Sequence, residues 1–238
     1  MAKRLEAFFP VLYRGNAGLV AHEGIVDAMG HVSARHPDNP KQYLLARARS
    51  PEVVEAGDIM AFHLDGTPVE DRGQPMYIER HIHGAIFEAR PEVMAVVHNH
   101  CPEVLPFAIT RTPMRPAVHF ARRLGPSVPV WDIQDHFGDT DLLVTTMEQG
   151  RDLASVLRAN KAALMRGHGN TVVGGSVREA VFRAVFTELA ARLASQAVML
   201  AGAGGKVTYL TPGEAKLAME ANVAAIGRPW EHWKREVL

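Results

Sequence analysis

The strongest chemical signal in the chain is the run Val96-Val97-His98-Asn99-His100, preceded by Met94-Ala95 and followed by Cys101-Pro102. Its valines and its terminating proline read as a short buried strand. Side chains two apart on a strand share a face, so His98 and His100 could address one small ion together. Neutral imidazoles suit Zn²⁺, Mn²⁺, Fe²⁺ or Co²⁺. A carboxylate, Glu79, and a third histidine in a glycine-rich setting, Gly167-His168-Gly169, lie within a domain's length. Three histidines and an acid would leave a coordination position for water or substrate. That is the plan of a catalytic site rather than a closed structural one.

The other candidate side chains divide into supporting and structural readings. Glu79 and His83 stand four apart on one face of an expected helix. A fourth imidazole would crowd the open position, so His83 reads as a supporting residue. His81 lies off that face and reads as structural. His119 and His136 fall in a loop-rich wall, where either role is open. Cys101 reads as a small buried hydrophobe. Tyr209 and the pair Trp230/Trp233 read as packing residues.

The elements that must hold these groups follow from periodicity. Apolar residues at helical spacing over 11–29 predict one or two helices, with Gly30 as the stop. Strands are expected at Gly30–Arg35, Tyr43–Ala46 and Asp58–Leu64, the last followed by the turn signal Asp65-Gly66-Thr67. A helix over 77–89 is expected to bury Ile78, Ile82, Ala85 and Ile86, and it leads into the Met94–His100 strand. Residues 102–138 read as loop. Then come a helix over Glu148–Arg158, strands at Ala162–Met165 and Thr171–Val173, and a long helix opened by Ser176 and Glu179 as a capping box. Thr211 to Glu214 repeats that start signal for a last helix to about Ile226.

Composition sets the class. The chain has 238 residues, 47% hydrophobic, with 26 basic and 26 acidic side chains. That suits one α/β domain over 1–238 with a sizeable core, its helices flanking a mostly antiparallel sheet. Balanced charge gives no electrostatic reason to expect nucleic acid or membrane binding. A single cysteine excludes an internal disulfide framework. No signal peptide and no apolar stretch of membrane-spanning length is expected, which makes the cytoplasm the default.

Read together, Gly30-His31-Val32-Ser33-Ala34-Arg35, Glu79-x-x-x-His83, Ala89-Arg90-Pro91-Glu92-Val93-x-Ala95-Val96-Val97-His98-Asn99-His100 and Gly167-His168-Gly169 resemble the class II aldolase/adducin family. The match runs from roughly residue 10 to 225, in order and spacing. The resemblance implies a three-layer α/β/α fold, a homotetramer with sites near subunit interfaces, and one divalent metal per subunit. His98, His100 and His168 fall on the family's ligand positions, and Glu79 on its acid. In the family's sugar-phosphate enzymes a Gly-Asn motif, a Thr/Ser-Gly loop and a Ser-Ser pair cradle phosphate. Here those positions hold His31, Ala48-Arg49 and Tyr77-Ile78, so the phosphate pocket is expected to be absent. The tyrosine that sugar aldolases use as proton donor aligns with Phe120.

These departures resemble the family's decarboxylase branch, whose substrates are hydroxylated aromatic or pyridine dicarboxylates such as 3,4-dihydroxyphthalate. The implied scheme has metal at the three histidines, Arg49 with His31 gripping a carboxylate, Arg47, Tyr77 and Phe120 nearby, and Glu79 as a proton donor of raised pKa. An aldolase acting on an unphosphorylated carboxylate-bearing substrate is the alternative enzyme. A catalytically silent binding module like the adducin head is the alternative from another class.

Overall fold

The computed structural model describes residue 25 and residues 27–125, 127–220 and 226–237. The helical reading of 11–29 therefore lies almost wholly outside the described residues. Seven strands form one sheet: β1 (His31–Arg35), β2 (Gln42–Ala46), β3 (Ile59–His63), β4 (Ala95–Asn99), β5 (Val130–Trp131), β6 (Ala162–Met165) and β7 (Gly169–Gly174). The order is β3-β2-β1-β4-β7-β6-β5. Every pairing is antiparallel except β5 with β6. β4 sits at the centre and all its residues are buried. That accounts for its near-continuous apolar run, since helices cover both faces.

The helices are α1 (Arg80–Ala89), α2 (Leu105–Thr110), α3 (Gln134–Phe137), α4 (Met147–Leu157), α5 (Val177–Ala201), α6 (Pro212–Glu220) and α7 (Gly227–Val237). Alternation along the strands sends side chains into two cores. Tyr43, Leu45, Val96 and Val173 meet Ile82 and Ile86 of α1 and Leu153 and Leu157 of α4. Val32, Ala34, Ala95 and Val97 meet Val181, Phe182 and Val185 of α5 on the other face. Trp230 and Trp233 pack in that second core, with Phe182 6.4 Å from Trp233 between ring centroids. The three-layer α/β/α arrangement follows from these two faces.

Several local readings are refined. The Ser176 hydroxyl caps α5 by accepting from the Glu179 N–H at 3.2 Å. The Glu179 carboxylate reaches one residue further back than a capping box would, to the Gly175 N–H. Thr211 and Glu214 do make the reciprocal pair. Residues 102–138 are less loop-like than expected, because they hold α2, a 3-10 turn at His119–Leu124, β5 and α3. Pro106 stands in the first turn of α2, where its missing N–H costs nothing. A strand of two residues carries no periodicity to read. Among the described residues one helix, α5, is long and apolar enough to cross a membrane by length and composition, contrary to the sequence expectation. Its inner face is committed to the sheet.

Candidate active site and metal centre

β1 and β4 pair so that His31 lies directly opposite His98. Both point to the α1 side of the sheet. β4 ends at Asn99, whose side-chain carbonyl accepts from the Cys101 N–H at 3.1 Å. That turn brings His100 round to His98, with the two Nε2 atoms 3.2 Å apart. His168 sits in the β6–β7 turn between two glycines with separate tasks. Gly167 has φ +65°, the left-handed region that Gly enters freely. Gly169 passes so close to β4 that an added Cβ would lie 2.1 Å from the Asn99 carbonyl oxygen. The same turn is pinned from below, where Asp132 takes Arg166 at 2.5 Å and Arg111 at 3.1 Å.

Glu79 stands at the N-terminus of α1 and accepts from the Val144 N–H through Oε1 at 3.0 Å. Its Oε2 lies 3.4 Å from His98 Nε2 and 3.5 Å from His168 Nε2. One donor atom from each of Glu79, His98, His100 and His168 therefore falls within 4.8 Å of every other. His168 Nε2 is buried and has no hydrogen-bond partner among the described residues. An unpartnered imidazole nitrogen converging with two others and a carboxylate fits a divalent cation with N/O ligands.

The protonation states point the same way. Burial drives the His98 ring below its ordinary range and outweighs the adjacent Glu79. Burial alone would raise the Glu79 carboxyl, but the His168 and His98 rings beside it hold it well below the usual carboxylate range. This reverses the expectation of a raised pKa: here Glu79 is a carboxylate. Neutral imidazole and ionised carboxylate are the forms that bind metal.

Asp27 adds a partner that sequence reasoning missed. Its Oδ1 lies 3.1 Å from His100 Nδ1 and also accepts from the N–H groups of Met29 and Gly30. A carboxylate on the far nitrogen fixes the ring plane of a ligating histidine. Nothing in spacing marks Asp27, because it precedes β1 in a stretch read as helix.

A cavity of about 590 Å³ opens on this cluster. Its polar lining includes His31, Arg49, Tyr77, Glu79, His100 and His168, and its apolar lining includes Met29, Ile78 and Leu143. Such a volume and mixture suit a small organic ligand. Arg49 lines the cavity and has its Nη1 2.7 Å from Asp58 Oδ2, while Arg47 holds the other carboxylate oxygen through Nε at 2.6 Å. Arg47 is not among the lining residues, so it supports the loop rather than the site. Tyr77 donates its hydroxyl to the Arg49 backbone carbonyl and lies 4.6 Å from the His31 ring. Ile78, expected in the buried stripe of the helix, precedes its start at Arg80 and is 52% exposed, an apolar side chain left at the mouth.

Phe120 is not at this cavity. Its ring packs 5.4 Å from Phe186 of α5, in the layer across the sheet, because the 3-10 turn that carries it leans on that helix. His136 pairs with Asp152 at 2.7 Å and His119 is exposed beside Phe120, both away from the cluster. Tyr209 lies under the Arg115 guanidinium. Cys101 is buried beside Glu103, and burial pushes its thiol up to about 12, too high for a nucleophile. His81 packs over Gly66.

Residues 17–195 match the model of the Class II Aldolase and Adducin N-terminal domain. The chain belongs to the class II aldolase and adducin family. It is 34% identical over 233 residues, covering 90% of this chain and 88% of the relative, to the decarboxylase tropJ of Talaromyces stipitatus. It is 30% identical over 200 residues, 78% and 77% of the two chains, to the 3,4-dihydroxyphthalate decarboxylase of Arthrobacter keyseri. Among solved structures, an aldolase II superfamily protein from Pseudomonas syringae aligns with TM-score 0.78 at 21% identity, over 95% and 90% of the two chains. The family fold and the described sheet agree. An L-fuculose 1-phosphate aldolase shares the fold, its structure aligning with TM-score 0.73 at 17% identity, over 86% and 91% of the two chains.

Proposed function

We propose that this chain is a metal-dependent, non-oxidative decarboxylase of a hydroxylated aromatic or pyridine dicarboxylate. The observation that carries the reading is that one cavity is lined both by Arg49 and by Glu79, His100 and His168, three members of the cluster that His98 completes. The similarity to decarboxylases along most of the chain supports it. Zn²⁺, Mn²⁺, Fe²⁺ or Co²⁺ at His98, His100 and His168 would act as a Lewis acid on a substrate oxygen, spreading the charge left when the C–C bond breaks.

The chain's own residues do the rest. Arg49 grips a substrate carboxylate with its planar fork, preoriented by Asp58. Met29, Ile78 and Leu143 cover the ring faces and keep water from the breaking bond. Departure of CO₂ leaves an electron pair on a ring carbon, which a proton must replace. Glu79 is the carboxylate among the lining residues, so it carries that proton at Oε2 and recovers another from solvent. Because the neighbouring histidines hold it ionised, it acts by taking up and passing on a proton rather than by storing one. A homotetrameric assembly with sites near its interfaces, in the cytoplasm, belongs to the same proposal.

The test is metal analysis of the purified protein, followed by assays of CO₂ release from ortho-hydroxy aromatic diacids, 3,4-dihydroxyphthalate first. Wild type should hold about one divalent ion per chain and release CO₂; His98→Ala should lose both. Pyruvate instead of CO₂ from a carboxylate-bearing aldol substrate would favour the aldolase alternative. Full metal content and activity in His98→Ala would overturn the scheme.

A further inference from the structure

Behind His31 lies a buried chain of hydrogen bonds that the catalytic scheme does not use. The Ser33 hydroxyl is 2.5 Å from His83 Nδ1, and His83 Nε2 is 2.6 Å from His31 Nδ1. Ser33 and His83 are wholly buried, and His31 is nearly so. His31 and Ser33 sit on the same face of β1 and His83 reaches them from α1. Gly84, next to His83, lets α1 approach that closely, since a Cβ there would meet the Leu64 carbonyl oxygen at 2.2 Å.

The tautomers follow from counting protons. A neutral imidazole has one donor and one acceptor nitrogen. If His83 donated from Nδ1 to Ser33, the serine proton would need an acceptor, and no further partner of Ser33 is found among the described residues. An orphaned buried donor is penalised more heavily than an under-used lone pair. The favoured arrangement therefore has the Ser33 hydroxyl donating to His83 Nδ1. His83 then carries its proton on Nε2 and donates to His31 Nδ1. His31 is left with its proton on Nε2, for which no protein partner is found among the described residues, on a ring that lines the cavity.

We propose that Ser33 and His83 are positioning residues that fix His31 as a hydrogen-bond donor through Nε2–H toward an anionic oxygen of the ligand. If His31 lost its Nε2 proton, the chain could replace it only by drawing the Ser33 proton forward and leaving an alkoxide, so His31 does not readily give that proton up. It is a directional clamp opposite Arg49 rather than an acid or base. This develops the carboxylate-gripping role expected for His31 and rests on the dicarboxylate reading only for the identity of the anion.

The experiment uses the full chain loaded with zinc and labelled with ¹⁵N-histidine. Long-range ¹H–¹⁵N spectra, with His31→Gln for assignment, should show a pyrrole-type Nε2 and a pyridine-type Nδ1 at His31. Phthalate titrated by calorimetry serves as the dicarboxylate probe. Ser33→Ala should mix the His31 tautomers and weaken phthalate roughly tenfold, the scale of one charge-assisted hydrogen bond. His83→Gln, whose amide can still donate to His31 Nδ1, should keep the wild-type signature, and His83→Phe should lose it. A bare Nε2 in wild type, or an unchanged His31 spectrum in Ser33→Ala, would overturn the proposal even if the variants proved hard to produce. Absence of CO₂ release with the His31 signature intact would instead overturn the decarboxylase reading alone.

Discussion

His31 and His98 occupy paired positions on adjacent strands, with ring centroids 5.0 Å apart, yet they have opposite partners. His98 faces the carboxylate and the other two ligand candidates. His31 is turned to a neutral chain that ends in a serine. Two imidazoles in one register position thus serve different ends, and the rungs of the β1–β4 ladder hold them apart.

Asp27 should govern metal affinity without touching metal. Asp27→Asn removes the carboxylate on His100 Nδ1, and the expected loss of zinc affinity is about 10–100-fold, the usual effect of such a partner. Competition against a chelator measures it. Unchanged affinity would show that His100 is oriented by something else.

The two arginines should separate cleanly. Arg49→Ala should weaken phthalate binding by about 2 kcal/mol, the lower end for a charge pair because the side chain is 30% exposed and shared with Asp58. Arg47→Ala should leave phthalate binding within a few-fold and lower thermal stability slightly. Equal effects of the two would refute the assignment of the clamp to Arg49.

Gly169→Ala should displace the ligand turn. The new methyl would meet the Asn99 carbonyl, so a loss of about 1–3 kcal/mol in unfolding free energy is expected, together with weaker zinc binding. Denaturant titration and metal analysis on the same sample test both parts. Gly175→Ala, facing only the end of the Glu179 side chain, is the control and should be milder.

Acid should destabilise the metal-free protein. Burial lowers the His83 ring to about 3, against an ordinary value of 6.5 for the unfolded chain. Between those values the unfolded state binds the extra proton, so stability rises with pH through that window and is lost as pH falls below 6.5. The share from His83 is about 1.4 kcal/mol per pH unit. Thermal melts from about pH 7.5 to about pH 5 should show falling Tm, with a shallower fall in His83→Phe. A flat profile in wild type would contradict burial as the cause.

Much of the site was legible because its residues lie in sequences with their own punctuation. His98 and His100 stand at a strand end marked by Pro102, and His168 lies between two glycines that the fold needs for different reasons. The sheet's central strands were readable from their apolar runs. Asp27, Asp58 and Ser33 were missed because their roles come from pairings across 73, 9 and 50 residues that no local pattern encodes. Arg47 was expected near the ligand for its planar fork and Phe120 by alignment, but the direction of a side chain after a strand, or on a 3-10 turn, depends on packing. The charge state of Glu79 was read in the wrong direction, because the two imidazoles beside it come from segments far off in sequence.

The ligand candidates sit at the middle of the sheet, while Met29, Arg49, Ile78 and Leu143 hang from four unconnected segments around its rim. Such a division lets mutation retune which molecule is admitted while the reactive hardware stays put. One ancestral framework could therefore be refitted for new diets by swapping its fringe, and laboratory evolution aimed at altered selectivity should begin at those four positions.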